Sequence, residues 1–324
     1  MRGAGHYGLA TGLESPMIIV TGGSGFVGKA ALAAISNDVI APSSSALDLN
    51  DRSVVMEYFG DTQPEVVIHL AARVGGITAN LAKPADFLLD NSRMDGNVLA
   101  AMARHKPDHL VLMLSTCMYP DHLPDSRYPM TELQIEDGPP PPSNAAYAAA
   151  KRTLLHGAYA VHNQYGVPFS ALIPSNLYGP GDHFGMEASH FLAAATTKIE
   201  TARRAGAPSV EFFGTGRALR QFLLVNDLAS LIAAIVERGP LNSAVNVAPS
   251  HNLSIRQLAE AVAGAADYEG EVRFSGVGPD GQFRKDVSSS RLLELIPGWG
   301  MIETPLEHGL RITIGWYRKH VATG

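Results

Sequence analysis

A chain of 324 residues is long for one domain and can bury a large core, so two closely connected lobes are expected. Its composition is globular, 46% apolar and 17% charged, and a net charge of -6 argues against nucleic acid or an anionic membrane as the main partner. Cys117 is the only cysteine, which excludes an intramolecular disulfide and a cysteine-based metal site and suits a reducing cytoplasm. No apolar run approaches the roughly 20 residues of a membrane span. The Gly-rich start lacks the apolar segment of a signal peptide, so residues 1–16 read as a flexible extension.

Met17 to Val20 is a short apolar run suited to a buried parallel strand, and Thr21-Gly22-Gly23-Ser24-Gly25-Phe26-Val27-Gly28 follows at once, before a helical stretch from Lys29 to Ser36. The order is strand, glycine turn, helix. Without side chains at Gly22, Gly25 and Gly28 the backbone can close on a dinucleotide pyrophosphate at the helix N-terminus. A second strand, Val39 to Ala41, ends in Pro42 and three serines beginning at Ser43, where such folds discriminate the ribose. No acid stands there to repel a 2'-phosphate, which leans toward NADP, although no arginine is there to bind one. Asp48 suits either the adenine edge or the N-cap of a helix from Asn50 to Gly60.

Val66 to Leu70 is a third strand, running into Leu70-Ala71-Ala72, whose small residues let backbone approach a ligand. A helix from Ala85 to His105 carries Asn91, with Asn91 beginning a turn of it, and a strand from Leu110 to Leu114 delivers Ser115-Thr116-Cys117 at its C-terminal end. Pro139 to Pro142 reads as a rigid rim loop before a helix from Asn144 to Tyr165. This alternation predicts an α/β fold with a Rossmann-type doubly wound parallel sheet, its ligands beyond the C-terminal strand ends. Tyr147 and Lys151, one turn apart on the last helix, share a face. A phenol titrates near 10 in free solution, about three units above neutrality, and a neighbouring cation would bring it toward proton exchange with a carbonyl oxygen.

After Tyr178 the order of elements changes, which predicts a smaller α/β lobe. It has a helix to about Arg204, a strand from Ser209 to Phe213, a helix after Ser254 and a strand from Val272 to Phe274. A helix from Val225 to Glu237 and a strand from Ala244 to Val247 return to the first lobe. The expected division is therefore 17–177 plus 221–247 for the cofactor lobe, and 178–220 plus 248–324 for the substrate lobe. Taken alone, Cys117 reads as a small buried hydrophobe and His190 as a surface or satisfied histidine.

Ser115, Tyr147, Lys151 and the upstream Asn91 form the catalytic set of a short-chain dehydrogenase/reductase. The chain resembles the extended members of that family, nearly end to end, and within them the epimerase-reductases acting on GDP-4-keto-6-deoxy-D-mannose. The likeness is carried by the glycine turn, VIHLAARVGGI from Val67 to Ile77, Ser115 to Pro120, and Pro174 to Phe184. Ser189-His190, FGTG from Phe213, RQFLLVNDLA from Arg220, and DGQFRK from Asp280 to Lys285 extend it. It implies NADPH-dependent 3,5-epimerisation and 4-reduction to GDP-L-fucose by a cytoplasmic homodimer paired through helices around Tyr147, where the Ala-rich face of 145–160 would allow close contact. Catalytic roles would fall to Ser115, Cys117 as base, His190 as acid, Tyr147 and Lys151. NADP(H) would be held by Gly22, Gly25, Phe26, Val27, Gly28, Ser43, Asp48, Leu70, Ala71, Ala72, Asn91, Tyr147, Lys151, Pro174, Asn176 and Leu177. The GDP-sugar would meet Asn176, His190, Lys198, Phe213, Arg220 and Lys285. No metal is implied.

Two positions depart from that pattern, Asn226 before Asp227 in place of an acid and Ser288 in place of an aspartate. A related GDP-4-keto sugar, a 3,6-dideoxyhexose or a heptose, is the closest alternative substrate. A nucleotide-sugar 4-epimerase or 4,6-dehydratase is more distant, since dehydratases of this fold place Asp-Glu where Cys117-Met118 stands. A cofactor-sensing module without catalysis would usually have lost Tyr147.

Overall fold

The computed structural model describes residues 16–185, 190–278, 282–301 and 303–322. The expected extension up to Ser15, together with Ser189, Asp280 and Gly281, lies outside them.

Alternating burial on both faces of short apolar strands organises the larger lobe. In β1 (Ile18–Thr21), Ile19 faces one core while Ile18 and Val20 face another, and every residue of the strand is buried. The chain continues through α1 (Phe26–Ala34), β2 (Val39–Ile40), α2 (Arg52–Thr62), β3 (Val66–His69), α3 (Ile77–Ala82), α4 (Pro84–His105) and β4 (His109–Met113). Then come α5 (Ala145–Tyr165), β5 (Phe169–Pro174), β6 (Asn176–Tyr178), α6 (Phe191–Arg204), β7 (Ser209–Phe212), β8 (Leu219–Arg220), β9 (Phe222–Leu224), α7 (Val225–Arg238) and β10 (Ser243–Val247). β11 (Leu253–Ser254), α8 (Ile255–Ala265), β12 (Glu271–Phe274), α9 (Ser290–Leu295) and α10 (Leu306–His320) complete it.

Six parallel strands form the central sheet in the order β10-β5-β4-β3-β1-β2. The order reverses between β1 and β3, and the crevice at such a reversal is where doubly wound sheets take ligands. Helices α2, α4 and α5 cover one face through Phe59, Val98, Met102 and Leu154, while α1 and α7 cover the other through Ala31, Leu228 and Ile232. Each such large apolar side chain contributes about 1.5–3 kcal/mol on burial. Helix α7 packs on α1 and β10 pairs with β5 in this lobe. The helix expected from Asn144 to Tyr165 is α5, while β5 carries no expectation from the sequence and is nevertheless wholly buried between β4 and β10.

A second core gathers Tyr178, Leu192, Ile199, Leu258, Val262, Leu310 and Ile314 from α6, α8 and α10. The short pairs β6–β9, β7–β12 and β8–β11 frame it. Fully buried Glu200 ties this lobe together, accepting from Arg203 on its own helix and from Arg318 of α10 at 2.7 and 3.1 Å. The expected boundary puts all of 248–324 here, but Leu292, Ile296 and Trp299 pack into the larger lobe's core beside β10. The chain therefore makes one more excursion into the larger lobe than the sequence suggests, returning for α10.

Two local expectations change. Asp51, and not Asp48, caps α2, accepting from the backbone of Ser53 and Val54, while Asp48 accepts from Asn50. The Ala-rich side of α5 is largely used inside the chain: Ala148, Ala150 and Ala158 are buried, and a Cβ on Gly157 would lie 2.4 Å from Leu99 of α4.

Candidate active site

The glycine turn is built by close backbone approach. Gly22 has φ +73°, a left-handed value that favours glycine, and a Cβ there would sit 2.6 Å from the amide nitrogen of Ala71. A Cβ on Gly28 would lie 2.1 Å from the Gly22 carbonyl oxygen, and Gly25 N donates to that same oxygen at 3.0 Å. The start of α1 is thereby drawn against the ends of β1 and β3, and Gly25 at its N-cap has no side chain to satisfy the free amides. Leu70, Ala71 and Ala72 form the opposite wall of the crevice. Phe26, Val27 and Gly28 open the helix, which can present its N-terminus to a pyrophosphate.

Ser43 lies past β2 in an exposed turn, its Oγ 2.8 Å from that of Ser45. Asn91 is fully buried in the body of α4, where the sequence suggested it began a turn. Its amide donates to the carbonyls of Arg73 at 3.0 Å and Phe87 at 2.7 Å, and its oxygen accepts from Arg73 N at 2.9 Å. The amide thus ties the loop after β3 to α4, and Arg73 fixes that loop further by pairing with Asp86 and Asp90.

β4 ends in a single 3-10 turn, Thr116–Met118. Ser115 caps it, its Oγ accepting from Cys117 N at 3.1 Å, which leaves the hydroxyl hydrogen free to donate into the crevice. Cys117 is half-buried, and its Sγ receives the Lys285 ammonium at 3.5 Å. Lys285, expected only on the GDP-sugar, reaches this point because Val287 bridges to Met130 and anchors the segment after residue 282.

Tyr147 is in the first turn of α5, and burial pushes its phenol above the ordinary range, with the charges of Cys117 and Asp95 adding to the rise. This reverses the expected lowering by Lys151. The Lys151 ammonium is buried and rests 3.4 and 3.5 Å from the carboxylate oxygens of Asp95, so its field at the phenol is offset. The structure thus brings Ser115, Cys117, Tyr147, Lys151 and Lys285 into one neighbourhood.

His190 caps α6 without a side-chain cap bond and is exposed; buried Asp182 feels its charge and keeps one carboxylate oxygen without a partner. Lys198, two turns along α6, donates to the carbonyl of Glu211 and lies over the Phe212 ring at 5.0 Å. The adjacent Phe213 is 74% exposed, a free aromatic face. Arg220 has a guanidinium that burial pulls below its ordinary value, and it donates to the Leu219 carbonyl at 2.7 Å. Asn176 donates to the Gln221 carbonyl at 3.0 Å, between Pro174 at the end of β5 and Leu177 in β6. Asp95 and His69 escaped the sequence reading. Their signal was an Asn91–Asp95 spacing of four on the buried stripe of α4.

Residues 18–248 match the NAD dependent epimerase/dehydratase family. The chain belongs to that family. Within this epimerase/dehydratase family it is 34% identical over 318 residues to the GDP-L-fucose synthase of Dictyostelium discoideum, covering 94% of this chain and 96% of that one. The GDP-L-fucose synthase of Azorhizobium caulinodans is 35% identical over 304 residues, covering 93% and 96%. A GDP-L-fucose synthetase from Naegleria fowleri, solved bound to NADP, superposes with a TM-score of 0.83 at 31% identity, covering 97% of each chain. The epimerase/dehydratase fold therefore extends through both lobes.

Proposed function

We propose that this protein catalyses the NADPH-dependent 3,5-epimerisation and 4-reduction of GDP-4-keto-6-deoxy-D-mannose, giving GDP-L-fucose. The observation that carries the reading is the half-buried Cys117 thiol, two residues beyond Ser115 and 3.5 Å from the Lys285 ammonium, in the same crevice as Tyr147. Reduction alone has no need of a thiol base. The GDP-L-fucose synthases to which the chain is similar support the same substrate.

A 4-ketone acidifies the hydrogens on C3 and C5. Cys117 removes one as the thiolate, and the enolate charge moves onto the ketone oxygen, where the Ser115 hydroxyl and Tyr147 donate to it. His190 returns a proton from the opposite face, inverting the carbon; Cys117 then releases its proton to solvent, His190 takes one up, and the cycle repeats at the second carbon. Reduction then adds a hydride at C4 and a proton to its oxygen, and Tyr147 delivers that proton. NADPH, when bound, supplies the hydride.

The cradle that a Cβ at Gly22 or Gly28 would fill suits the pyrophosphate of such a dinucleotide, and Ser43 and Asp48 stand on the adenosine side. Lys151 would hold the nicotinamide ribose. Arg220, Lys198 and Lys285 supply local cations for the GDP diphosphate on an acidic chain, and Phe213 offers a ring to the guanine. We assign the larger lobe to the cofactor and the smaller to the sugar nucleotide.

Incubation with the 4-keto sugar nucleotide and NADPH is expected to consume cofactor and form GDP-L-fucose, and absence of turnover at saturating concentrations refutes the activity. Cys117→Ser should nearly abolish deuterium uptake from heavy water at C3 and C5. A competition with GDP-4-keto heptose or dideoxyhexose substrates identifies the preferred sugar by the rate of NADPH oxidation. Among the described residues no helix is long and apolar enough to cross a membrane, and a cytoplasmic homodimer is the proposed state. Exposed Leu88 and Leu89 on α4 offer a contact that α5 does not already use, and a monomer in sedimentation at micromolar concentration would contradict the dimer.

A further inference from the structure

Beneath the helix of Tyr147 runs a chain of buried polar groups of which epimerisation and reduction as described use only Lys151. Thr21 Oγ1, at the end of β1, lies 2.7 Å from His69 Nδ1 at the end of β3. His69 Nε2 lies 3.0 Å from Asp95 Oδ1 of α4, and Asp95 meets the Lys151 ammonium of α5 at 3.4 and 3.5 Å. The side chains of His69, Asp95 and Lys151 are 0%, 3% and 2% exposed. Ala71 N donates to Thr21 Oγ1 at 3.4 Å, which directs the threonine hydroxyl hydrogen to His69 Nδ1. The ring then carries its own hydrogen on Nε2 and donates it to Asp95.

A buried ion pair is a poor source of net stability, because desolvation of both charges offsets their attraction and an apolar pair of similar volume often does as well. Four polar groups from four separate elements, sealed under the sheet's C-terminal edge, therefore point to the site they support. We propose that Asp95 is a positioning residue for proton delivery: held by His69, its carboxylate anchors the Lys151 ammonium below Tyr147 and offsets the charge that the phenol feels. The inference rests on reading Tyr147 and Lys151 as the proton-delivering pair.

The charged and titratable groups around that pair are few. Asp95 faces it from α4 and Cys117 from the turn after β4, with Lys285 on Cys117; His69 and Thr21 lie behind Asp95. An acid that must give up its proton only when an alkoxide forms has to hold that proton at rest. The Asp95 charge raises the affinity of the phenol for its proton, so its removal lets Tyr147 ionise at lower pH.

The test is Asp95→Asn, with Asp95→Ser read in its place if the amide variant does not fold, and Asp95→Glu as the charge-preserving control. The alkaline limb of single-turnover NADPH oxidation on the 4-keto sugar nucleotide should move down by about one pH unit in the neutral variants and stay near wild type in the glutamate variant. In the apo-protein, phenolate absorbance assigned to Tyr147 by subtracting a Tyr147→Phe background should appear at correspondingly lower pH. An unchanged limb and unchanged absorbance in a folded neutral variant, or failure of both neutral variants to fold, gives Asp95 a structural role and overturns the proposal. Wild-type protein that does not turn over refutes the activity instead, and the apo-protein titration then still decides the part played by Asp95.

Discussion

Gly28→Ala is the sharpest perturbation of the cofactor crevice. The added methyl would sit 2.1 Å from the Gly22 carbonyl oxygen and 2.7 Å from the Gly23 Cα, both backbone atoms, where ordinary contacts begin at 3.4 Å. Relieving the closer contact opens the start of α1 from the turn by about 1.3 Å, the difference between those distances. Overpacking of this kind costs about 1–3 kcal/mol of stability, because backbone cannot rotate out of the way as a side chain does. The larger effect falls on the ligand. Gly22 O also accepts from Gly25 N, so the displacement disturbs the amides that face the pyrophosphate. Losing two charge-assisted hydrogen bonds at about 1.5 kcal/mol each corresponds to ~3 kcal/mol, or roughly a hundredfold in Kd. NADPH fluorescence titration of the variant measures this directly. Gly96→Ala serves as control, since a Cβ at that position of α4 meets nothing within 4 Å. That control should bind as wild type and gain up to about 1 kcal/mol of stability from helix propensity. A folded Gly28→Ala protein binding NADPH within about threefold of wild type would refute the assignment of this turn to the pyrophosphate.

Three further outcomes follow from the geometry. Lys285→Met should slow deuterium uptake from heavy water at C3 and C5 several-fold, because Cys117 loses the ammonium that holds its sulfur; equal exchange rates would deny the contact a part in proton abstraction. Arg220→Met should raise KM for the GDP-sugar about tenfold or more with kcat little changed, because burial already disfavours this guanidinium and a diphosphate relieves the penalty; a fall confined to kcat would contradict that role. Arg203 and Arg318 hold the Glu200 carboxyl below its ordinary range, so its stabilisation is present above the unfolded-state value and is lost as pH falls through the lower folded-state value. Glu200→Gln should therefore cost about 1–3 kcal/mol in urea unfolding at neutral pH, with the gap to wild type closing in acid, and a gap independent of pH would be evidence against the ion pair as its source.

Local spacing was enough to specify a good deal of this protein. The apolar run from Met17 to Val20, the glycines at 22, 25 and 28, and the four-residue step from Tyr147 to Lys151 are each properties of a few consecutive residues. From the first the parallel sheet was legible, and the other two carry the proposed cofactor turn and proton-delivering helix. What tertiary structure alone decided were encounters between distant segments. Lys285 meets Cys117 across 168 positions, and Asp95 meets Lys151 across 56. The first gives Lys285, expected only at the GDP-sugar, a contact with the proposed thiol base. The second reverses the expected effect of Lys151 on Tyr147, because an electrostatic field depends on every charge within a few ångströms, and chain spacing reports only those on the same helix. Leu292, Ile296 and Trp299 cross back to the larger lobe for the same kind of reason. An apolar helix face records that it must be buried, and only the packed molecule decides against which core.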